Sequence, residues 1–432
     1  MTAGREIVIT GAGLVTPLGI GVQENWERIK RMETGITCNC GPETLPFLRC
    51  RGYVRAFDML QDLPEKLRGQ VKFLNRGSIL GFEAAREAYV HAGAEMSDVP
   101  QGRRALFIAG GDSTQVGCSF MHEALNNATS GQWLELDPAK LNESSLYTVN
   151  PFFLLESILN NLFSSLSAFL ECMGPNTSLG NDSPCGGNAV ELAARSIENG
   201  SADVALAVGC GNWITEIPLY EMAGLGILSN CSDGVNSFRP FDRRHDGFIP
   251  GEGGAALFLE TAERAKRRGA KVLGTLRGFG NCLAHPDILG LGVGREVSAG
   301  SMRMALEEAG RDQKDYAFIC GHGSASASGD ASELRSISRL FSPAMSTIAV
   351  CGLKPHTGHL GAASDIAEII LCLKAVSEGI VPGTMNFDEP EDDFREIMIS
   401  KAHRATERLH FIATSYGVAG QSSAVAVEVP AA

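Results

Sequence analysis

Residues 181–211 read NDSPCGGNAVELAARSIENGSADVALAVGCG. After the cysteine, Val190, Ala193, Ala194 and Ile197 recur at i, i+3, i+4 and i+7, the spacing of a buried helix face, and Asn199-Gly200 supplies a stop. The apolar run DVALAVGCG at 203–211 then has the length of a strand buried on both faces. A helix that feeds such a strand is the building unit of an α/β protein.

The rest of the chain extends this unit. EIVITGAGL (6–14), LFIAGG (106–111), YAFICGHG (316–323) and SAVAVEV (423–429) read as further strands. RGSILGFEAAREAYVHAG, SMRMALEEAG and the stretch VTPLGIGVQENWERIKR after the first strand read as helices. No linker-like tract divides the 432 residues; the nearest seam follows TAERAKRRGAK, near residue 271. No repeat is apparent in the sequence, although each half opens with strand and helix units of similar length.

Hydrophobic residues make up 44% and charged residues 20%, and the 50 glycines are dispersed, as in a compact globular protein. A net charge of -13 opposes nucleic acid and anionic membrane as partners, because polyanion binding draws on Lys and Arg. The most membrane-like segment, FFLLESILNNLFSSLSAFL at 152–170, is broken by Glu156, Asn160 and Asn161 and is expected to be a buried helix, in or near a subunit interface. Twelve cysteines behind the opening strand fit free thiols in a reducing cytoplasm, with no need for disulfides. Cys38, Cys40 and Cys50 lack the CxxC spacing and the nearby histidine of a zinc site, so no metal is expected there.

Three stretches carry chemistry. Cys185 falls at a helix N-terminus, where backbone N–H groups and the helix dipole favour a thiolate, and Gly186 and Gly187 are expected to leave room for a substrate. A lone cysteine is more often a small buried residue. CGHGSASASGD (320–330) delivers His322 from a strand end into a loop of small and hydroxyl residues. CGLKPHTGHLGAAS (351–364) packs Lys354, His356 and His359 into six residues; its HxxH lacks the carboxylate of metalloprotease motifs, so a metal is not expected. His356 is expected to face solvent or cap the loop, and His359 to face a substrate.

VITGAGLVTPLG, GPNTSLGNDSPCGGNA, FRPFDRRHDGFIPGEGGAALFLE, GHGSASASGDASE, LKPHTGHLGAAS and TSYGVAGQSSAV follow one another in this order. With them the chain, over roughly residues 6 to 430, resembles the β-ketoacyl-acyl-carrier-protein synthases, condensing enzymes of fatty-acid and polyketide synthesis. The resemblance implies a thiolase-like α/β fold, two similar halves in a five-layered αβαβα arrangement, usually dimeric. The halves would be residues 1–270, with the nucleophilic cysteine, and 271–432, with the two histidines.

The resemblance also implies roles. Cys185 would take the acyl group from a thioester on an acyl carrier protein, with the N–H groups of Cys185 and Val418 as oxyanion hole. His322 and His359 would donate hydrogen bonds to the enolate left when malonyl loses CO2, while Lys354 and Glu333 would pair and hold the histidines. Ser324 and Ser326 stand where the family has threonines that bind the phosphopantetheine arm, which belongs to the carrier, so no resident cofactor is implied. The chain departs from the family at Pro184 and Gly186 beside the cysteine. It departs again in the gating loop, Gly417-Val418-Ala419-Gly420, which lacks the usual phenylalanine. His285 is a low-grade site candidate, and Lys66, Arg68 and Lys72 are candidates for carrier docking, equally readable as a solvated helix face. The partner is expected to be a second identical subunit or a chain-length-factor-like homologue. The rival reading, a non-catalytic chain-length subunit, is disfavoured because such subunits usually lack the cysteine.

Overall fold

The computed structural model describes residues 5–39, 41, 44–57, 63, 65–71, 73–94, 96–110, 118–153, 160–180, 183–284, 292–342 and 347–431. The main sheet contains ten principal strands, numbered in chain order. They are β1 (Ile7–Thr16), β2 (Arg104–Gly110), β3 (Asn176–Leu179), β4 (Val204–Asn212), β5 (Glu252–Thr261), β6 (Gly274–Leu283), β7 (Tyr316–Cys320), β8 (Ala349–Cys351), β9 (His410–Tyr416) and β10 (Gln421–Glu428). A further two-residue strand, Gly19–Ile20, folds back on the end of β1. The principal helices are α1 (Arg76–Ala92), α2 (Asn160–Leu170), α3 (Cys185–Glu198), α4 (Ala299–Ala309), α5 (Ala327–Phe341) and α6 (Ser364–Ser377).

The strand order is β8-β7-β9-β10-β6-β1-β5-β4-β2-β3. From the centre outward, the first five strands run 1-5-4-2-3 and the last five run 6-10-9-7-8, which is the same order. The directions agree too: in each set the first two pairings are antiparallel and the last two parallel. The sets meet where β1 pairs β6 through Val8 with Thr275 and Ile9 with Gly274. The chain therefore contains an internal structural repeat, the two similar halves that the resemblance implies, although no repeat is apparent in the sequence pattern.

Alternation along the strands explains the layers. On β2, Ala105, Phe107 and Ala109 turn towards α3 and α6 in a central core, whereas Leu106 and Ile108 turn towards α1 and α2 in an outer one. On β9 and β10, Phe411, Val425 and Val427 face the centre, whereas Ile412, Ala424 and Ala426 face α4 and α5. The result is helix, sheet, helix pair, sheet, helix: the five-layered αβαβα arrangement of a thiolase-like fold.

Close approach marks both outer layers. A Cβ at Gly11 or Gly13 of β1 would lie 2.1 Å from the Ala88 carbonyl oxygen or 1.9 Å from that of Ala84, in α1. At Gly278 or Gly280 of β6 it would lie 2.2 Å from the carbonyl oxygen of Ala305 or 1.9 Å from that of Ser301, in α4. The GxG pairs in VITGAG and LRGFGN are thus equivalent features of the two sets.

The five sequence-read strands are present. So are the helices at 76–92, capped by the Asn75 side chain on the Ser78 N–H, and at 299–309, stopped by Gly310 at φ 60°. The helix after the first strand starts only at Val22, because Gly19–Ile20 forms a hairpin first. In the 152–170 segment, Glu156 lies outside the described residues, and α2 buries Leu162, Leu166 and Leu170. No helix among the described residues is long and apolar enough to cross a membrane.

The free-thiol expectation needs correction: Cys38 and Cys50 are disulfide-bonded across the short strands Ile36–Cys38 and Cys50–Gly52. Antiparallel register brings two cysteines twelve residues apart face to face, which linear spacing does not reveal. Cys40 lies outside the described residues, and no cluster of potential metal ligands occurs among the described ones.

Candidate active site

The chemistry-bearing residues converge on the middle layer because strand and helix ends point there. Cys185 is the first residue of α3, and Ser364 heads α6, its structural counterpart. His322 follows β7, and His359 follows the short helix Lys354–Thr357 beyond β8.

The two imidazoles face each other, Nε2 to Nε2 at 3.3 Å, and both are buried. Each is locked in place. The His322 N–H donates to Glu333 Oε1 at 2.7 Å, its carbonyl accepts from Lys354 Nζ at 2.6 Å, and its Nδ1 lies 3.2 Å from Ser415 Oγ. His359 accepts the Gly361 N–H on Nδ1 at 3.2 Å. Its ring is stacked on Trp213, 4.6 Å between centroids, and tilted against Phe248 at 4.8 Å. Burial, then the Lys354 ammonium and His359, hold His322 well below the usual histidine range; burial, then Lys354, does the same to His359. Both are therefore neutral at pH 7 and carry one proton each.

A cavity of about 390 Å³ opens beside them. Its lining includes His322, His359, Ser324, Ser326, Tyr416 and Val418, and on the apolar side Trp213, Met222 and Phe248. Ser324 Oγ lies 2.7 Å from Ser326 Oγ and 2.9 Å from the Tyr416 hydroxyl, a cluster of three hydroxyls on the wall. Cys185 is buried and is not in the cavity lining, whereas Ser183, two residues before it, is. Gly417 packs on the same residue, since a Cβ there would lie 2.5 Å from the Ser183 carbonyl oxygen. The loop Gly417-Val418-Ala419-Gly420 closes as a turn, with the Gly420 N–H on the Gly417 carbonyl at 3.1 Å and Gly420 at φ 89°. Gly417 and Val418 reach the cavity; Ala419 and Gly420 are not in its lining.

Three sequence expectations are corrected. Lys354 and Glu333 do not pair: Lys354 Nζ is bonded to Glu368, at 2.8 and 3.0 Å, while Glu333 accepts from the N–H groups of His322 and Gly323 and from Thr414 Oγ1. Both still grip His322, one through its carbonyl and the other through its N–H. Glu368 was missed; its signal is a carboxylate amid IAEIILCL, in a helix buried without a break from Ser364 to Leu373, where an ion needs a partner. Gly186 and Gly187 do not open space for a substrate. A Cβ on Gly186 would lie 2.6 Å from the Ala362 carbonyl oxygen, and the Gly187 N–H is spent on Asp365 Oδ2 at 3.1 Å. His356 does not face solvent: it is fully buried, with Nδ1 2.7 Å from the Glu33 carbonyl oxygen. Of the remaining candidates, His285, Lys72 and the Lys66 side chain lie outside the described residues, and exposed Arg68 donates to the Leu63 carbonyl at 3.1 Å.

With a buried cysteine heading a central helix and two clamped histidines facing each other on a cavity wall, the five-layered repeat is that of a condensing enzyme. The Beta-ketoacyl synthase N-terminal domain family matches residues 4–265 and the corresponding C-terminal domain family matches residues 293–388; the chain belongs to the beta-ketoacyl synthase family. It is 27% identical over 431 residues to the 3-oxoacyl-[acyl-carrier-protein] synthase 2 of Vibrio cholerae, with 98% of each chain covered. It is 25% identical over 429 residues to the Staphylococcus aureus protein of the same name, again with 98% of each covered. Among solved structures, a type II polyketide ketosynthase in complex with its acyl-carrier protein matches 99% of this chain and 100% of its own at a TM-score of 0.83 and 23% identity. The ishigamide ketosynthase/chain length factor matches with the same coverage and TM-score at 22% identity.

Proposed function

We propose that the protein carries out decarboxylative condensation on carrier-bound substrates, with Cys185 as acyl acceptor and His322 and His359 as the decarboxylation pair. The observation that carries this reading is the pair of neutral imidazoles, 3.3 Å apart on the cavity wall. The Cys185 sulfur attacks the acyl thioester and the carrier thiol leaves with a proton. Malonyl thioester then loses CO2, and the enolate oxygen is held by imidazole N–H groups, each worth about 3 kcal/mol of barrier. The enolate carbon attacks the acyl-cysteine, the carbon–carbon bond forms, and the sulfur is released. The N–H groups of Cys185 and Val418 serve as oxyanion donors in this scheme, with Gly417, Ala419 and Gly420 shaping the loop that presents Val418.

The substrate is read as a 3-oxoacyl chain in the making on acyl carrier protein, with Ser324, Ser326 and the Tyr416 hydroxyl meeting the polar phosphopantetheine arm. No resident cofactor or metal is required by this chemistry. Residues 1–270 and 271–432 are read as the two halves, and the active assembly as a dimer with an identical chain or a chain-length homologue. The experiment is direct: incubate with acyl carrier, then malonyl carrier, and follow intact mass and CO2. The expected result is one acyl adduct on the Cys185 peptide, discharged with CO2 release and a 3-oxoacyl product. No adduct with any chain length, and no CO2, would overturn the reading in favour of a non-catalytic chain-length subunit.

A further inference from the structure

Two non-glycine residues near the cavity hold left-handed backbone, Ala325 at φ 56° and Phe241 at φ 65°. Such conformations persist only where the surroundings fix them. One carboxylate fixes both. Asp330, buried in the first turn of α5, accepts the Ala325 N–H on Oδ1 at 2.9 Å and the Phe241 N–H on Oδ2 at 2.6 Å. The Ala325 carbonyl is held in turn by the Gly247 N–H at 2.8 Å. Ala325 lies between Ser324 and Ser326, so its turn sets the two cavity hydroxyls 2.7 Å apart. Phe241 packs on the same segment: a Cβ at Gly323 would lie 3.3 Å from its ring.

A third group reaches Asp330. His245, whose side chain is only 5% exposed, brings Nδ1 to 3.1 Å from Asp330 Oδ2. Its Nε2 lies 3.3 Å from Glu391 Oε1, an ion-pair distance without the alignment of a hydrogen bond. Among the described residues, the charged groups at ion-pair distance from the ring are thus Asp330, from α5, and Glu391, from the segment that follows residue 388. On the loop of His245 itself, Asp242 and Arg244 pair with each other, Arg243 pairs with Glu389, and Asp246 accepts from Ser229 Oγ. A neutral imidazole has one N–H and would aim a lone pair at one of the two carboxylates, whereas an imidazolium offers an N–H to each. Burial opposes the charge, but Asp330 and then Glu391 outweigh it and hold His245 above the usual histidine range.

We propose that His245, as an imidazolium, is a positioning residue for the arm site: by gripping Asp330 it keeps the Ala325 turn that sets Ser324 and Ser326, and so ties affinity for a carrier-bound thioester to pH without touching the reacting atoms. This role rests on the reading of the two serines as arm-binding groups. Its sign follows from the charge on the ring. Below the ordinary histidine value of 6.5 the grip is complete; as pH rises through the raised pKa of His245 it loosens, and binding weakens.

The test is carrier binding without turnover: equilibrium titration of malonyl carrier into full-length Cys185→Ala protein between about pH 6 and about pH 9. The dissociation constant is expected to rise about tenfold across this range, the worth of one charge-assisted hydrogen bond. His245→Arg, charged throughout, is expected to hold the low value at every pH, and His245→Asn, which keeps a neutral donor towards Asp330, the high one. Should His245→Asn fail to fold, Glu391→Gln removes the second carboxylate at a half-exposed position and is expected to move the midpoint of the same titration to lower pH. The same pH dependence in His245→Arg as in the unsubstituted ring, a constant independent of pH in both, or no carrier binding at any pH overturns the proposal. The expected binding profile, joined to a protein that retains Cys185 yet forms no acyl adduct and releases no CO2, would strike the proposed function and leave the role of His245 standing.

Discussion

Lys354 Nζ lies 2.8 and 3.0 Å from the two carboxylate oxygens of Glu368 and 2.6 Å from the His322 carbonyl oxygen, and both side chains are buried. Removing one member of a buried pair strands the other. Lys354→Met is expected to lower stability by about 3–5 kcal/mol in urea unfolding, and Lys354→Met with Glu368→Met to recover most of that loss. The double variant should still decarboxylate poorly, because the His322 carbonyl has lost its anchor.

The two histidines act on one oxygen in the proposed scheme. His322→Ala and His359→Ala are each expected to slow malonyl decarboxylation by about 100-fold or more. The double variant should fall by less than the product of the two, since groups that act as a unit are not additive. Full multiplicativity in single-turnover CO2 release would separate their roles.

His356 offers a pH prediction free of catalysis. Burial lowers its pKa to about 4, below the unperturbed value of about 6.5, so between these values the unfolded chain binds one proton more than the folded protein. Its contribution to stability is present above pH 6.5 and is lost as pH falls towards 4. His356→Asn keeps a donor for the Glu33 carbonyl, and is expected to reduce the slope of unfolding free energy against pH by about 1.4 kcal/mol per unit in that window. An unchanged slope in denaturant titrations would contradict the assignment. Glu333, raised from 4.5 to about 7 by burial against its three hydrogen bonds, has the opposite sign: its contribution is present below pH 4.5 and is lost as pH rises towards 7.

The glycines after Cys185 should not be equivalent. A Cβ on Gly186 meets backbone, the Ala362 carbonyl oxygen, whereas one on Gly187 meets the Ser423 hydroxyl at 2.3 Å, the end of a side chain that can rotate. Gly186→Ala is expected to cost about 1–3 kcal/mol and to shift α3 from α6, with slower acylation of Cys185. Gly187→Ala should cost less, helped by the better helix propensity of alanine. Equal melting temperatures for the two variants would refute this account.

Fold class was legible because buried helices and strands write their periodicity directly into sequence, as in NAVELAARSI and DVALAVGCG. The repeat was harder to see. It survives in GxG pairs on β1 and β6 and in strand order, which share hardly any letters because many residues satisfy the same packing. The pairing of Cys38 with Cys50 and the burial of His356 were invisible for another reason: each depends on what a different segment lays against it.

By itself, the sequence determined a thiol at a helix head and one histidine, His322, at a strand end, since those positions follow from local pattern. Only the tertiary structure decided that Glu368, and not Glu333, is the partner of Lys354. It also decided that the glycines serve helix packing, and that Asp365 of α6 accepts the Gly187 N–H of the helix of Cys185. Hydrogen bonds and ion pairs between segments 14 to 178 residues apart depend on distance and direction in three dimensions, and linear spacing holds neither.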